Sequence, residues 1–140
     1  MMFHLRVADR LGYACRLLRK AHAQRAKVVV CASRPVLAEF DALLWTSDPL
    51  SFVPHLRLAP AAALPPATDP TPIWLVEDAL QSPSHEVLLN LGDELVAGFE
   101  TFERVIEIVD DDEPTKQAAR LRWRHYADRG YPLRRHEASA

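Results

Sequence analysis

Three residues near the C-terminus combine two positive charges with an aromatic ring at helical spacing. Lys116 and Arg120 are four positions apart, and Trp123 follows three positions later. On a helix, this spacing places the two cations one turn apart and beside the indole ring. The combination suits an acidic peptide that ends in an apolar residue and a free carboxylate. A helix with a solvated basic edge would have the same pattern, so both interpretations stay open at this point.

Other residues that could do chemistry lack the partners that they need. The four glycines are isolated, and none forms a phosphate-binding loop after a predicted strand. The six histidines show no metal-binding spacing, and residues 110–112 lack the Gly and the later Glu of a calcium loop. We therefore expect no metal ion and no cofactor.

Cys31 supports the main alternative, a small nucleotide- or thiol-dependent enzyme. It is predicted at the carboxyl end of a strand, where α/β proteins place reactive groups. No activating base can be identified near it in the sequence, and cysteine is commonly just buried. We therefore expect a protein without catalytic residues and keep the enzyme as the second hypothesis.

Composition and charge favour an ordinary globular domain. Of the 140 residues, 49% are hydrophobic and 26% are charged. No apolar run could span a bilayer, and the two cysteines form no paired motif. We therefore expect no signal peptide, a reducing cytoplasm and no membrane contact. The formal net charge of -2 argues against a general nucleic-acid binder. A third hypothesis, direct binding of nucleic acid, would use the basic residues Arg16, Arg19, Lys20, Arg134 and Arg135.

The order of the predicted elements indicates a single three-layer α/β domain over residues 1–140. Strands are predicted at 2–7, 27–31, 73–76, 86–91, 104–109 and 131–133, and helices at about 10–24, 33–45, 97–103 and 114–129. Strands that alternate with helices predict right-handed crossovers and a mostly parallel sheet. Residues 59–72 are rich in Ala and Pro and are predicted to form a surface loop.

Two large aromatic residues flank a bend that contains proline. Trp45 precedes the segment 46–51, and Phe52 follows it. Such residues are commonly part of the core, but aromatic residues beside a bend are also typical anchors of protein interfaces. Both interpretations of Trp45 and Phe52 stay open.

Together, these segments resemble a known family, the chi subunit of the bacterial DNA polymerase III holoenzyme. The resemblance runs through almost the whole chain in the same order. The segments that carry it are Asp41…Leu44-Trp45, Ser51-Phe52-Val53-Pro54-His55, Val87-Leu88-Leu89-Asn90-Leu91, Phe102…Val105-Ile106-Glu107 and Lys116-Gln117-Ala118-Ala119-Arg120…Arg122-Trp123…Tyr126.

The resemblance implies a non-catalytic connector with a Rossmann-like fold that lacks the nucleotide-binding Gly-rich loop. Members of the family bind the acidic C-terminal tail of single-stranded DNA-binding protein. They also pair with the psi subunit, which joins them to the clamp loader, so contact with DNA is expected to be indirect. The tail site of the family falls here on Lys116, Arg120 and Trp123, and the psi interface falls on Trp45 and Phe52. We expect a terminal Phe of the tail to pack in an apolar notch near Val109 and Trp123. Trp123 stands where the family often has Tyr, so it retains the flat apolar surface and lacks the hydroxyl.

Overall fold

The computed structural model describes residues 1–46, 55–58, 73–82 and 85–137 of the chain. The strands in these ranges are β1 (Met2–Val7), β2 (Val28–Cys31), β3 (His55–Leu58), β4 (Ile73–Val76), β5 (Val87–Asn90), β6 (Arg104–Asp110) and β7 (Arg134–Glu137). The α-helices are α1 (Arg10–Ala23), α2 (Arg34–Thr46) and α3 (Glu113–Asp128). Short 3-10 turns lie at Ala79–Gln81 and Phe99–Thr101. None of the helices in these ranges has the length and apolar character that a membrane crossing requires.

The strands form one sheet in the order β3-β4-β2-β5-β6-β1-β7. All pairs of neighbouring strands among the described residues are parallel. Helices α1 and α2 pack on one face of the sheet, and α3 packs on the other. These findings confirm the predicted α/β class with its Rossmann-like, three-layer architecture.

Burial on both faces explains why the central strands are continuous apolar runs. All four residues of β2 are buried. Because successive side chains alternate between the faces, Val28 and Val30 join the cluster that contains Phe40 of α2, whereas Val29 joins the cluster that contains Tyr126 of α3. The sheet therefore separates two apolar cores.

Local sequence determines where the two longest helices begin and end. The side chain of Asp9 accepts a hydrogen bond from the backbone N–H of Gly12 at 3.2 Å and caps α1. Pro114 lies in the first turn of α3, where its missing N–H leaves no helical hydrogen bond unmade. Gly130 follows α3 in the left-handed region, with φ of 80°, and turns the chain back toward the sheet.

The structure corrects two predicted elements and adds a strand that was not predicted. The strand expected at 131–133 lies at Arg134–Glu137, because Pro132 has no N–H to donate and pairing begins where Arg134 N donates to Met1 O. The helix expected at 97–103 is only a 3-10 turn, because Gly98 has a left-handed φ of 84° that a continuous helix does not permit. Strand β3 was not expected after Pro54. The predicted loop at 59–72 lies outside the described residues.

Phe3 joins β1 to α3 and provides a test of this packing. It is almost completely buried, and its ring lies 5.0 Å from the ring of Trp123 and 6.0 Å from that of Tyr126, between centroids. We expect Phe3→Ala to lower the free energy of unfolding by about 3–5 kcal/mol, because truncation leaves a cavity between the sheet and the helix. Urea denaturation measures the change. Leu121→Ala, on the exposed side of α3, is the control and should change stability by less than about 0.5 kcal/mol; equal losses in both variants would contradict this packing.

Candidate functional site

A groove runs between α3 and the edge of the sheet formed by β1 and β7. Its cavity has a volume of about 470 Å³. The four residues predicted for the peptide site all line it: Val109, Lys116, Arg120 and Trp123. The other lining residues are Phe3, Leu5, Arg6, Asp110, Asp111, Ala119, Arg135 and Glu137. Residues from β1, β6, α3 and β7 therefore meet in one place.

The floor of the groove is apolar. Val109, Ala119 and Phe3 are buried and contribute carbon surface from three different elements. The indole of Trp123 packs edge-on against the Phe3 ring and stays partly exposed to the groove. This arrangement can accept one apolar side chain of a ligand between the helix and the sheet.

Two cations on α3 form one wall. Lys116 Nζ lies 3.4 Å and Arg120 Nη1 lies 3.6 Å from the two carboxylate oxygens of Glu113. The side chains are 35% exposed for Lys116, 65% for Arg120 and 60% for Glu113, so solvent screens these ion pairs and they are weak. An incoming carboxylate can therefore replace Glu113 on both cations at a small cost in free energy.

The opposite wall comes from the edge strands. In the parallel pairing of β1 with β7, Phe3 is opposite Arg135 and Leu5 is opposite Glu137, and all four side chains line the groove. Arg6 also reaches this side, because a left-handed φ of 57° and a register shift interrupt the alternation of β1, and its Nε lies 3.9 Å from Glu137 Oε1. This second wall, in which Arg6 and Arg135 lie beside Glu137, was not predicted as part of the site. Successive side chains of β7 alternate between the two faces of the sheet. This alternation predicts the second wall only after the bounds of the strand are known.

A buried charge network holds α3 against the sheet. Glu107 of β6 has an exposed fraction of 0% and Arg122 of 3%. Arg122 Nε donates to Glu107 Oε1 at 3.1 Å, Tyr126 OH donates to Glu107 Oε2 at 2.7 Å, and Arg122 Nη1 donates to the backbone oxygen of Asp93. Desolvation raises the pKa of Glu107, and the charge of Arg122 and the Tyr126 hydrogen bond act in the opposite direction. Desolvation and the charge of Glu107 raise the pKa of Tyr126.

This network was not predicted, although the sequence contains a signal for it. Glu107 is the one charged residue inside the apolar run Val105–Val109. Arg122 and Tyr126 are four positions apart, a spacing that presents both polar groups to the same side of a helix. A carboxylate in a buried strand requires such donors, because an unpaired buried charge is very unfavourable.

The two predicted surfaces do not lie together. Trp45 is at the C-terminal end of α2, on the face of the sheet opposite to α3, and 59% of it is exposed. The alternative that Trp45 is a core residue is therefore wrong. Phe52 lies outside the described residues. The sheet therefore separates Trp45 from the groove.

Cys31 lies at a second cavity, of about 790 Å³, at the carboxyl ends of β2, β4 and β5. Its thiol is buried and donates a hydrogen bond to Glu77 O at 3.5 Å. Desolvation, followed by the negative charge of Asp78, raises the pKa of Cys31 to about 11. At neutral pH the reactive thiolate is therefore scarce, which argues against a nucleophilic role. The described residues contain no group of three or more His, Cys, Asp or Glu side chains that could hold a metal ion.

Comparison with known proteins gives consistent matches over most of the chain. The family described as DNA polymerase III chi subunit, HolC, matches residues 1–134. A protein named DNA polymerase III subunit chi from Pseudomonas aeruginosa is 34% identical over 128 residues, which cover 91% of this chain and 85% of that protein. A protein of the same name from Haemophilus influenzae is 32% identical over 124 residues, which cover 86% of this chain and 81% of that protein.

The buried network predicts a large effect of removing one partner alone. We expect Arg122→Met to lower the free energy of unfolding by about 3–5 kcal/mol, because Glu107 then lacks its counter-charge in the core. Thermal and urea unfolding measure the loss. Arg124→Met removes an exposed charge from the same helix and should change stability by less than about 0.5 kcal/mol.

A triple variant separates the unpaired charge from lost packing. Glu107→Leu/Arg122→Met/Tyr126→Phe replaces the whole network by apolar groups, and such replacements are often neutral or stabilising. We expect it to be more stable than Arg122→Met alone. A triple variant as unstable as the single variant would show that the charge of Glu107 is not the cause.

Proposed function

Because the chain belongs to the DNA polymerase III chi subunit family, we propose that it is a non-catalytic connector of the bacterial replisome. In this role the groove beside α3 binds the acidic C-terminal tail of single-stranded DNA-binding protein. The surface around Trp45 and Phe52 pairs with the psi subunit, which joins the chain to the clamp loader. The protein acts in the cytoplasm and needs no cofactor.

The observation that carries the tail proposal is the joint location of an apolar floor and a basic wall in one groove. The terminal apolar side chain of a tail would pack on Val109 against the face of Trp123. Its carboxylate and the preceding acidic residues would pair with Arg120 and Lys116, displacing Glu113. Of these two cations, only Arg120 can pair with a carboxylate in a bidentate manner, so we assign it the larger share of the affinity that α3 provides.

Exposure of the basic wall determines the strength of the complex. A charge-assisted hydrogen bond is worth about 1.5–3 kcal/mol when it is desolvated, and less where water reaches the pair. One tail therefore binds with modest, salt-sensitive affinity. A tetrameric DNA-binding protein carries several tails, so avidity can convert these weak contacts into a stable tether.

The exposure of Trp45 supports the proposed psi-binding surface. A tryptophan that is 59% exposed on α2 is a suitable anchor for a partner protein, because aromatic residues dominate the energetics of interfaces. The surface lies across the sheet from the groove. One copy of the chain could therefore hold the tail and the psi subunit simultaneously, as a connector requires.

Tail binding is tested with a fluorescent acidic peptide that ends in Phe with a free carboxylate. We expect Arg120→Ala to weaken binding by about tenfold or more, because the bidentate pair is lost. Fluorescence anisotropy at low and moderate salt measures the dissociation constant. Arg124→Ala removes a charge from the same helix outside the groove and should bind as the wild type does. The C-terminal amide of the peptide should bind weakly to all variants; retained binding by Arg120→Ala would overturn the site.

Psi binding is tested with Trp45→Ala. Because Trp45 is exposed, we expect the variant to keep the wild-type melting temperature and to lose affinity for the psi subunit in isothermal titration calorimetry. The acidic peptide should bind to this variant unchanged. A melting temperature several degrees below that of the wild type would assign Trp45 a structural role instead, and unchanged psi affinity would remove it from the interface.

A further inference from the structure

The edge of the sheet carries a second basic surface on the face opposite to the groove. It consists of His4 from β1, Arg16 and Lys20 from α1, and Arg134 and His136 from β7. All of them except the partly buried His4 are exposed. Residues 10–27, which include the whole of α1, contain no Asp or Glu. We refer to these five residues as the α1-side basic surface.

Strand pairing explains how β7 contributes to both faces. Met2 is opposite Arg134, and His4 is opposite His136. Because side chains alternate along a strand, Arg134 and His136 point away from the groove that Arg135 lines. Arg134 and Arg135, which the nucleic-acid hypothesis names together, therefore lie on opposite faces of the sheet edge.

Aromatic rings connect the cations of this surface. The rings of His4 and His136 are 5.4 Å apart between centroids, and Tyr13 OH lies 2.6 Å from His4 Nδ1. The guanidinium of Arg16 lies 5.5 Å from the centroid of the Tyr13 ring. The surface therefore contains planar groups beside its positive charges.

The described residues place no carboxylate within ion-pair distance of Arg16, Lys20, Arg134 or His136. The nearest acidic residue in β7, Glu137, points into the groove and pairs with Arg6. Desolvation lowers the pKa of His4, and the charges of His136 and Lys20 lower it further. The positive potential at this surface is therefore not neutralised locally.

From this arrangement we propose that the α1-side basic surface binds the phosphate backbone of single-stranded DNA directly. The cations Arg16, Lys20 and Arg134 are exposed, and the rings of His4, Tyr13 and His136 lie among them. Single strands require this chemistry, because cations neutralise phosphates and rings stack on bases. The formal net charge of -2 does not oppose the proposal, because residues 10–27 contain no acidic residue and binding depends on the local potential. The proposal does not depend on tail binding in the groove.

The test uses a labelled oligothymidine and the full chain in fluorescence anisotropy. We expect weak binding at low salt, with an affinity that falls steeply as salt rises because counterions are released. The double variant Arg16→Glu/Lys20→Glu should abolish binding of the oligothymidine. Arg124→Glu/Arg129→Glu makes the same change in net charge, on α3 and at the residue that follows it, and should retain most of the binding. Circular dichroism and thermal melting verify that both double variants are folded.

Three outcomes would overturn the proposal. One is the absence of binding by the wild type at low salt, and another is an equal loss of binding in the two double variants. The third outcome comes from a parallel binding experiment with vesicles that contain anionic phosphatidylglycerol. If Arg16→Glu/Lys20→Glu abolished vesicle binding and left oligothymidine binding intact, the surface would be a membrane contact instead.

Discussion

The buried contact of Glu107 with Arg122 and Tyr126 is the constraint on which the geometry of the groove depends. Arg122 and Tyr126 project from the inner side of α3 toward one carboxylate in β6. A rotation of the helix about its axis would leave that carboxylate without donors in the core, which is very unfavourable. The helix orientation in which Arg122 and Tyr126 both donate to this carboxylate also presents Lys116, Arg120 and Trp123 to the groove. Buried ion pairs often add little net stability, so the effect of this one lies mainly in orientation.

The parts of the fold that could be predicted from the sequence are those that depend on local patterns. The buried run in β2 and the capped helix after Asp9 are properties of a few consecutive residues. Strand β7 was placed a few residues too early, because its bounds depend on where Arg134 meets Met1, at the far end of the chain. The four residues of β3 carry too little pattern to predict a strand by themselves.

The same distinction applies to the groove. Lys116, Arg120 and Trp123 share one helix, so their spacing alone predicted that they lie together. Arg6 and Arg135 reach the groove through strand pairing and an interrupted alternation in β1, which no spacing in the sequence indicates. Glu107 could have been suspected as a charge in an apolar strand, but its partners lie on a different element. Contacts between distant segments were thus the part that the sequence could not provide.

The alternation of β7 has consequences beyond its own four residues. Its side chains divide between the two faces of the sheet. At this edge, one face therefore carries the groove, with its apolar floor and its cations, and the other face carries the solvated basic surface. A complex that contains both an acidic peptide and a nucleic acid would then meet positive charge on both faces of the same edge. Net charge conceals this division, because it averages the acidic residues of the remaining surface with the cations concentrated here. In the proposed connector role, weak sites on separate faces would be an advantage, because each could be released while another retains the complex.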